Sequence, residues 1–399
     1  MKINCVFFTT LFSHISHPPP QYLEKRLEKR NIALVSVWIP ENLRHKSVVQ
    51  VLRSLDYGIQ HLLEEYSMNK LMLGAAAVAL FVAATPAMAQ DDSGVKLSLG
   101  GYFKGYVNYS DEDAVRDLDI LRETEVHFGG ETTLDNGLTV GAHIEAATDA
   151  GEGFEIDESY VYFAGTWGRV NFGAEDGAAY LLQVAAPSAD DNIDGIRQYI
   201  NPVTFTGTAI DYDNDLSTKS DKVTYLSPVF SGFQAGASFT PEAGDASRSV
   251  AGNSPEGVAD TDDVWELAVR YEGMVSDVGV ILGAGYADGG DNTDEWNVGA
   301  DLDIGAFGLG LVYTETEVAS VESDTWVVGG DYTVGPYKLG ISYLNTDDDA
   351  DTYDVDRFTG GVVYTYGPGM TFRGSIAYTD DDVSDEDATT VTVGTQINF

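Results

Sequence analysis

Apolar and polar side chains alternate along the C-terminal end of the chain. Val391, Val393, Ile397 and Phe399 occupy one parity; Thr390, Thr392, Gln396 and Asn398 occupy the other. A period of two predicts a β-strand with one apolar and one polar face. The same grammar recurs upstream. Over 370–379, Met370, Phe372, Ile376 and Tyr378 oppose Thr371, Arg373, Ser375 and Thr379; over 264–271, Trp265, Leu267, Val269 and Tyr271 oppose Glu266 and Arg270. The breaks between such runs are of two kinds. Short turns lie at 134–137, 166–168, 228–231, 273–277, 304–306, 334–336 and 367–369. Acidic connections lie at 110–118, 149–153, 175–219, 241–262, 289–293, 317–322, 346–352 and 380–387. Seven short and eight acidic connections separate sixteen strands. Strands start roughly every twenty residues, which suits about ten membrane-spanning residues plus half a turn and half a loop.

Aromatic residues cluster at the two ends of these strands. Tyr109, Phe239, Tyr286, Tyr313, Tyr343 and Tyr378 precede acidic connections, and Trp265, Trp296 and Trp326 follow them. A second set, among them Phe233, Tyr271, Phe307, Tyr332, Tyr364 and Phe372, hugs the short turns. Two girdles flanking an aliphatic band are what a bilayer selects. The fold predicted is therefore all-β: a 16-stranded antiparallel transmembrane β-barrel, both termini on the short-turn side. The terminal Phe399 sits in the girdle of that side. The apolar parity must face lipid, because a charge at mid-bilayer costs about 2–4 kcal/mol. The polar parity lines an interior too wide for side chains to fill, so an aqueous channel is expected.

The first ninety residues obey a different rule. Met68-Asn69-Lys70, the apolar run 71–84 and the small-x-small site Ala87-x-Ala89 read as a signal peptide over 68–89, with the mature chain starting at Gln90. Residues 1–67, with Pro18-Pro19-Pro20 and the charged run 24–30, read as an upstream extension that is not native, the start codon lying at Met68. Glu64-Glu65 can be encoded as a ribosome-binding sequence at a suitable distance. Residues 90–399 then form the barrel. They carry 13 basic and 58 acidic residues, a net charge of −45, which excludes nucleic acid as a partner. The single cysteine, Cys5, precedes the signal, so a closed hydrogen-bonded barrel must hold the exported chain without disulfides.

The connection 175–219 is by far the longest and the only one with an apolar run, 178–186. A loop of that length is usually functional or disordered, and its apolar content argues against disorder. Folding inward, it would narrow the pore. The run Asn171-Phe-Gly-Ala-Glu-Asp-Gly-Ala-Ala-Tyr-Leu-Leu182, the hairpin 131–140, the stretch 225–234 and the terminal Phe399 together resemble the general porins of Gram-negative bacteria, in their alphaproteobacterial branch. The resemblance covers 90–399. It implies a homotrimer in the outer membrane, with the third outer loop folded inward as a constriction. It also implies acidic loop residues facing basic residues of the wall. Carried over to this chain, the acidic set is Glu175, Asp176, Asp190, Asp191 and Asp194. The basic set is Lys104, Arg169, Lys222, Arg357 and Arg373, with His127 and His143 nearby. Dense arginine clusters known in the family are absent here. Expected partners are outer-membrane lipid and lipopolysaccharide, and the barrel-assembly machinery acting through the Phe399 strand.

Other signals are weaker. Asp211, Asp213 and Asp215 resemble the opening of a calcium loop, but Leu216 and Lys222 stand where an EF-hand needs Gly and Glu. No cofactor is required; Ca2+ or Mg2+ could be held at these acids or at the clusters 347–351 and 380–385, or bridge them to lipid phosphates. Glycine pairs such as Gly283-x-Gly285 and Gly308-x-Gly310 have no following helix, so they are not nucleotide loops. His127 and His143, the only histidines after residue 90, lie in no hydrolase motif, so an enzyme is not expected. Small residues Gly101, Gly105, Ala142 and Ala146 on the lipid parity suggest subunit contacts through the first five strands. The acidic excess points to passive diffusion of small hydrophilic solutes with a modest preference for cations. The alternatives are a substrate-selective channel for a sugar or another small solute, and a structural barrel that conducts nothing.

Overall fold

A computed structural model describes residues 94–113, 115–147, 155–206, 210–243, 263–290 and 292–399. The signal peptide read at 68–89, the start at Gln90 and the extension 1–67 lie outside the described residues. So do the acidic connection 149–153 and most of 241–262.

Sixteen strands follow one another along the chain. The first eight are β1 (Lys96–Ser110), β2 (Leu118–Thr133), β3 (Thr139–Ala147), β4 (Glu155–Gly165), β5 (Gly168–Ala174), β6 (Asp221–Leu226), β7 (Phe233–Thr240) and β8 (Val264–Val275). The second eight are β9 (Val278–Asp288), β10 (Thr293–Ile304), β11 (Phe307–Val318), β12 (Val321–Val334), β13 (Tyr337–Asp348), β14 (Asp354–Gly367), β15 (Met370–Asp381) and β16 (Glu386–Asn398). Each pairs antiparallel with its sequence neighbours, and β16 pairs with β1 in the register Val393↔Val107 to close the barrel. Closure leaves no open edge, the condition for strands to span a bilayer. The Phe399 amide donates to the Gly101 carbonyl at 3.0 Å, extending the seam to the last residue.

The faces follow the predicted parity. Phe372, Ile376 and Tyr378 are exposed on the outer surface, while Arg373, Ser375 and Thr379 are buried within. Outward aromatics pair across strands at both ends. Phe239–Trp265 and Tyr313–Trp326 each have centroids 4.3 Å apart on the acidic-loop side. On the short-turn side Phe307–Tyr332 and Tyr337–Tyr364 pair at 4.8 and 4.9 Å. Such pairs add about 0.5–1.5 kcal/mol each beyond burial.

Two expectations change in detail. The connection placed at 317–322 is a two-residue hairpin: pairing runs out to Val318↔Val321, and Ala319 and Ser320 both take positive φ, 54° and 68°. That conformation matches the twist of the flanking strands, and it left no Asn-Gly signal to read. On the outer face, Gly105 does not leave a bare patch, since a Cβ there would lie 2.6 Å from the Phe103 ring that covers it. Ala146 shares that parity and is fully buried.

Candidate functional site

Segment 175–219 bonds to the lumen faces of strands all round the barrel, so it lies inside the wall. Its outward limb begins with a single helical turn, α1 (Ala178–Leu181). Gly177 offers no capping side chain, so the wall supplies the acceptors. The Ala178 amide donates to Ser238 Oγ at 3.0 Å, and the Ala179 amide to Glu266 Oε2 at 2.9 Å. Arg270 Nη1 then donates to the Gln183 carbonyl at 2.8 Å.

From there the segment runs against glycines on successive strands. A Cβ on Gly283 or Gly299 would lie 2.6 or 2.8 Å from the Val184 side chain. On Gly310 it would lie 2.4 Å from Pro187 Cδ, on Gly329 1.7 Å from the Pro187 carbonyl oxygen, and on Gly340 2.4 Å from the Ala189 nitrogen. Absent side chains thus form a track across β9 to β13. The apolar run that set this loop apart packs there: Ala186, Ile210 and Tyr212 cluster with Val312, Val327, Leu344 and Val355 of the inner wall. The returning limb is tied to the outgoing one. Gln183 Oε1 accepts from the Asn214 amide at 2.8 Å, and the Ala186 amide donates to Tyr212 Oη at 3.0 Å.

A second turn, α2 (Asp191–Asp194), docks on the opposite wall. Asp190 caps it, accepting from the Asn192 amide at 3.2 Å. The same carboxylate accepts from Tyr106 Oη at 2.9 Å and pairs with Arg373 at 2.7 Å. Asp191 also pairs with Arg373, and Asp194 pairs with Arg357 Nε at 2.8 Å while accepting from Ser342 Oγ at 2.8 Å. Asp190, Asp194 and Arg357 are 1%, 2% and 1% exposed, whereas the Asp191 side chain is 68% exposed. Acid and base therefore meet here as joints. Asp190 and Asp194 do not face Arg373 and Arg357 across open water; they fasten the loop to them. Of the three aspartates at this turn, only Asp191 is open to the pore.

Other candidates also serve the loop. Lys222 Nζ donates to the carbonyls of Glu175, Thr218 (2.6 Å) and Ser220 (2.9 Å), closing the two ends of the segment together. It is a buried clamp and not an open cation of the wall. Glu175 accepts from Asn171 Nδ2 at 2.5 Å. Asp176 pairs with Arg197 at 3.5 Å, and Arg197 also pairs with Asp213 at 3.2 Å and Asp215 at 3.1 Å. Of the three acids weighed for a metal, Asp213 and Asp215 are thus paired with one guanidinium. Asp348 and Asp381, in the other acidic clusters, accept from amides of their own turns at 2.7 and 3.1 Å.

On the wall itself, Lys104 is buried between the Tyr102 and Tyr199 rings, 3.7 Å from Glu123. Arg169 lies 4.0 Å from the Tyr162 ring centroid and donates to Asn171 at 2.5 Å, near the short-turn rim and away from α2. His127 and His143 lie side by side, rings 5.6 Å apart, among Glu125 and Glu145. Phe399 is exposed at the short-turn end of the seam.

Burial shapes the charge of the loop. It pushes the Glu175 carboxyl up to about 7, and it raises Asp211, Asp213 and Asp215 as well, where one Arg197 faces several acids. Because the folded state holds these protons more tightly than the unfolded chain, docking is strongest in acid and weakens as pH rises through about 7.

Arg197, Arg270 and the glycine track were not singled out from the sequence. The spaced glycines were visible but had been weighed only as nucleotide loops. Their signal was position: each sits on the lumen parity of its strand.

Comparisons agree with this architecture. A family model described as Gram-negative porin matches residues 74–392. No curated protein matches the chain. Among solved structures, an anion-selective porin from Comamonas acidovorans is 19% identical, covering 76% of this chain and 100% of that one at a TM-score of 0.56. A mutant of Rh. blastica porin is 17% identical with the same coverage and TM-score. OmpT, an outer membrane protein of Vibrio cholerae in its trimer form, is 15% identical and covers 77% of this chain and 100% of that one, at 0.56.

Proposed function

Because this chain belongs to the Gram-negative porin family, whose fold points to an outer-membrane channel, we propose that it is a trimeric diffusion pore with a modest preference for small cations. The observation that carries the preference is how the lumen cations are used. Arg357, Arg373, Lys222 and Arg197 are each bound to carboxylates or carbonyls of the loop, and Lys104 is enclosed by rings. Carboxylates remain in excess. Asp191 is open to the lumen, and on the short-turn side Asp301, Asp303 and Asp331 share one lysine, Lys338, 3.4 Å from Asp331.

Trimer contact through the outer faces of β1 to β5 is part of the same reading, supported by the outward Gly101 and Ala142 and the trimer form of the Vibrio relative. Planar-bilayer recording across a KCl gradient tests both. Expected are closures in three steps and a reversal potential of cation-selective sign that fades as salt rises, since exposed charges act over about 8 Å at physiological ionic strength. An anion-selective sign, as in the Comamonas porin's description, would reject the preference, and single-step closures would reject the trimer.

The same recording has an expected pH dependence. Between pH 8 and pH 6, protonation of Glu175, Asp213 and Asp215 removes negative charge beside the passage, so cation preference falls. A reversal potential unchanged over that range would place selectivity away from these acids.

A further inference from the structure

Histidine is rare in this barrel, and the two it contains are neighbours on the inner wall. In the β2–β3 ladder His127 stands opposite Glu145, and His143 lies two residues before Glu145 on the same face. The register therefore gathers two imidazoles and one carboxylate at mid-strand, on the lumen side. Glu145 Oε1 lies 2.7 Å from His143 Nε2 and 3.5 Å from His127 Nδ1. One ligand atom from each of the three residues falls within 4.8 Å of the others.

We infer that His127, His143 and Glu145 form a binding site for a transition-metal ion of the Zn2+ class, entered from the pore. A tetrahedral ion with ligands at about 2.0–2.2 Å needs them roughly 3.3 Å apart, so small side-chain rotations complete the geometry. Two imidazoles and a carboxylate are a donor set that suits Zn2+, Co2+ or Ni2+ and leaves a fourth position to water. Ca2+ and Mg2+, which take oxygen ligands, gain little from the two nitrogens.

The surroundings favour a site over a chance ion pair. His127 Nε2 is 3.0 Å from Glu125 Oε2, so this second carboxylate orients the ring and leaves Nδ1 to face Glu145. A carboxylate behind a ligating imidazole fixes the tautomer and raises the ring's basicity. The rings are also held sideways. Tyr102 meets His127 edge-on at 5.8 Å, and Tyr160 lies against His143 at 5.3 Å. Such packing limits the reordering that binding would otherwise require. Glu158 lies opposite Glu145 on β4, a further carboxyl beside the group. Two ammonium groups lie nearby and both are engaged, Lys219 with Asp157 and Lys104, across the Tyr102 ring, with Glu123. Both histidine side chains keep some exposure to the lumen, 23% for His127 and 12% for His143, which gives an aqueous ion access.

The site abuts the passage. Tyr102, which packs on His127, also contacts Tyr199 of the inward loop, with centroids 6.1 Å apart. An ion bound there adds positive charge to the wall beside the constriction.

The test is calorimetric titration of ZnCl2 into the detergent-solubilised full-length barrel, with Co2+ absorption as a second readout. Expected are one ion per chain and the visible spectrum of tetrahedral Co2+. His127→Gln and His143→Asn should each weaken binding at least tenfold, and Glu125→Gln by roughly ten- to a hundredfold. Asp213→Asn, in the loop cluster, should leave it unchanged. Heat-modifiable migration shows that each variant is folded. The inference is overturned by absence of Zn2+ binding, by equal binding in the histidine variants, or by CaCl2 binding as tightly as ZnCl2. None of these readouts depends on which ions the pore prefers, so the inference and the proposed selectivity stand or fall separately.

Discussion

Gly329→Ala, one added methyl group, is expected to drive the inward loop off the wall and raise single-channel conductance. The new Cβ would lie 1.7 Å from the Pro187 carbonyl oxygen and 2.9 Å from its carbonyl carbon. Both are backbone atoms, so no flexible side chain can swing aside. Nor can the backbone slide, because it is held on one side by Glu266 and Arg270 and on the other by Arg357 and Arg373. Ordinary overpacking costs about 1–3 kcal/mol, and this contact is harsher than most. A penalty of about 3 kcal/mol shifts the docked-to-undocked ratio by more than a hundredfold. The barrel itself should fold, since Gly→Ala in extended backbone otherwise stabilises by about 0.4–1 kcal/mol. Gly330→Ala is the control. Its Cβ points outward and would meet a movable Leu309 methyl at 3.1 Å and the Gly308 carbonyl at 3.3 Å. Expected are larger, noisier channels for Gly329→Ala that admit bigger neutral sugars, and unaltered ones for Gly330→Ala. Currents indistinguishable from the parent in Gly329→Ala would show that the track does not hold the loop.

The barrel was legible because its information is local and repeated. Alternation assigns each strand, and turn residues count them; all sixteen strands follow from features a few residues long. The hairpin at Ala319-Ser320 escaped because its flanking acids read as a loop while the pairing ran on through Glu317↔Glu322. The site was legible only by residue type. Asp190, Asp194, Arg357 and Arg373 could be named, but their pairings, Asp194 with Arg357 and Asp190 with Arg373, span 163 and 183 residues of sequence, and periodicity carries nothing over that distance. Whether a carboxylate faces water or a guanidinium is decided by the track beneath it. That track is written in residues with no side chain, on strands far from the loop. Lys222 was ambiguous for a related reason: a lysine beside a long loop reads alike as wall charge and as clamp. Only the carbonyls of Glu175, Thr218 and Ser220 around one ammonium tell them apart.

Arg357→Met should be among the most damaging single changes to the constriction, and its partner change should reverse most of the damage. Arg357 is fully enclosed, its Nε 2.8 Å from Asp194 and its Nη2 donating to the Ile193 carbonyl at 3.1 Å. Removing one member of such a pair strands a buried charge at a cost of about 3–5 kcal/mol, while replacing both by apolar groups is often close to neutral. The cost should fall on α2, which Arg357 and Arg373 fasten to the wall, and leave the sixteen-stranded ladder intact. Arg357→Met is therefore expected to give rapid current flicker and a lower temperature for the heat-modifiable transition. Arg357→Met with Asp194→Leu should recover most of both, short of the hydrogen bond from Ser342 Oγ. Asp191→Asn, at the exposed end of the same turn, should change stability little and reduce cation preference, because that side chain is open to the passage. A single variant as quiet and as stable as the parent, or a double variant no better than the single, would mean that Arg357 and Asp194 do not act as the joint.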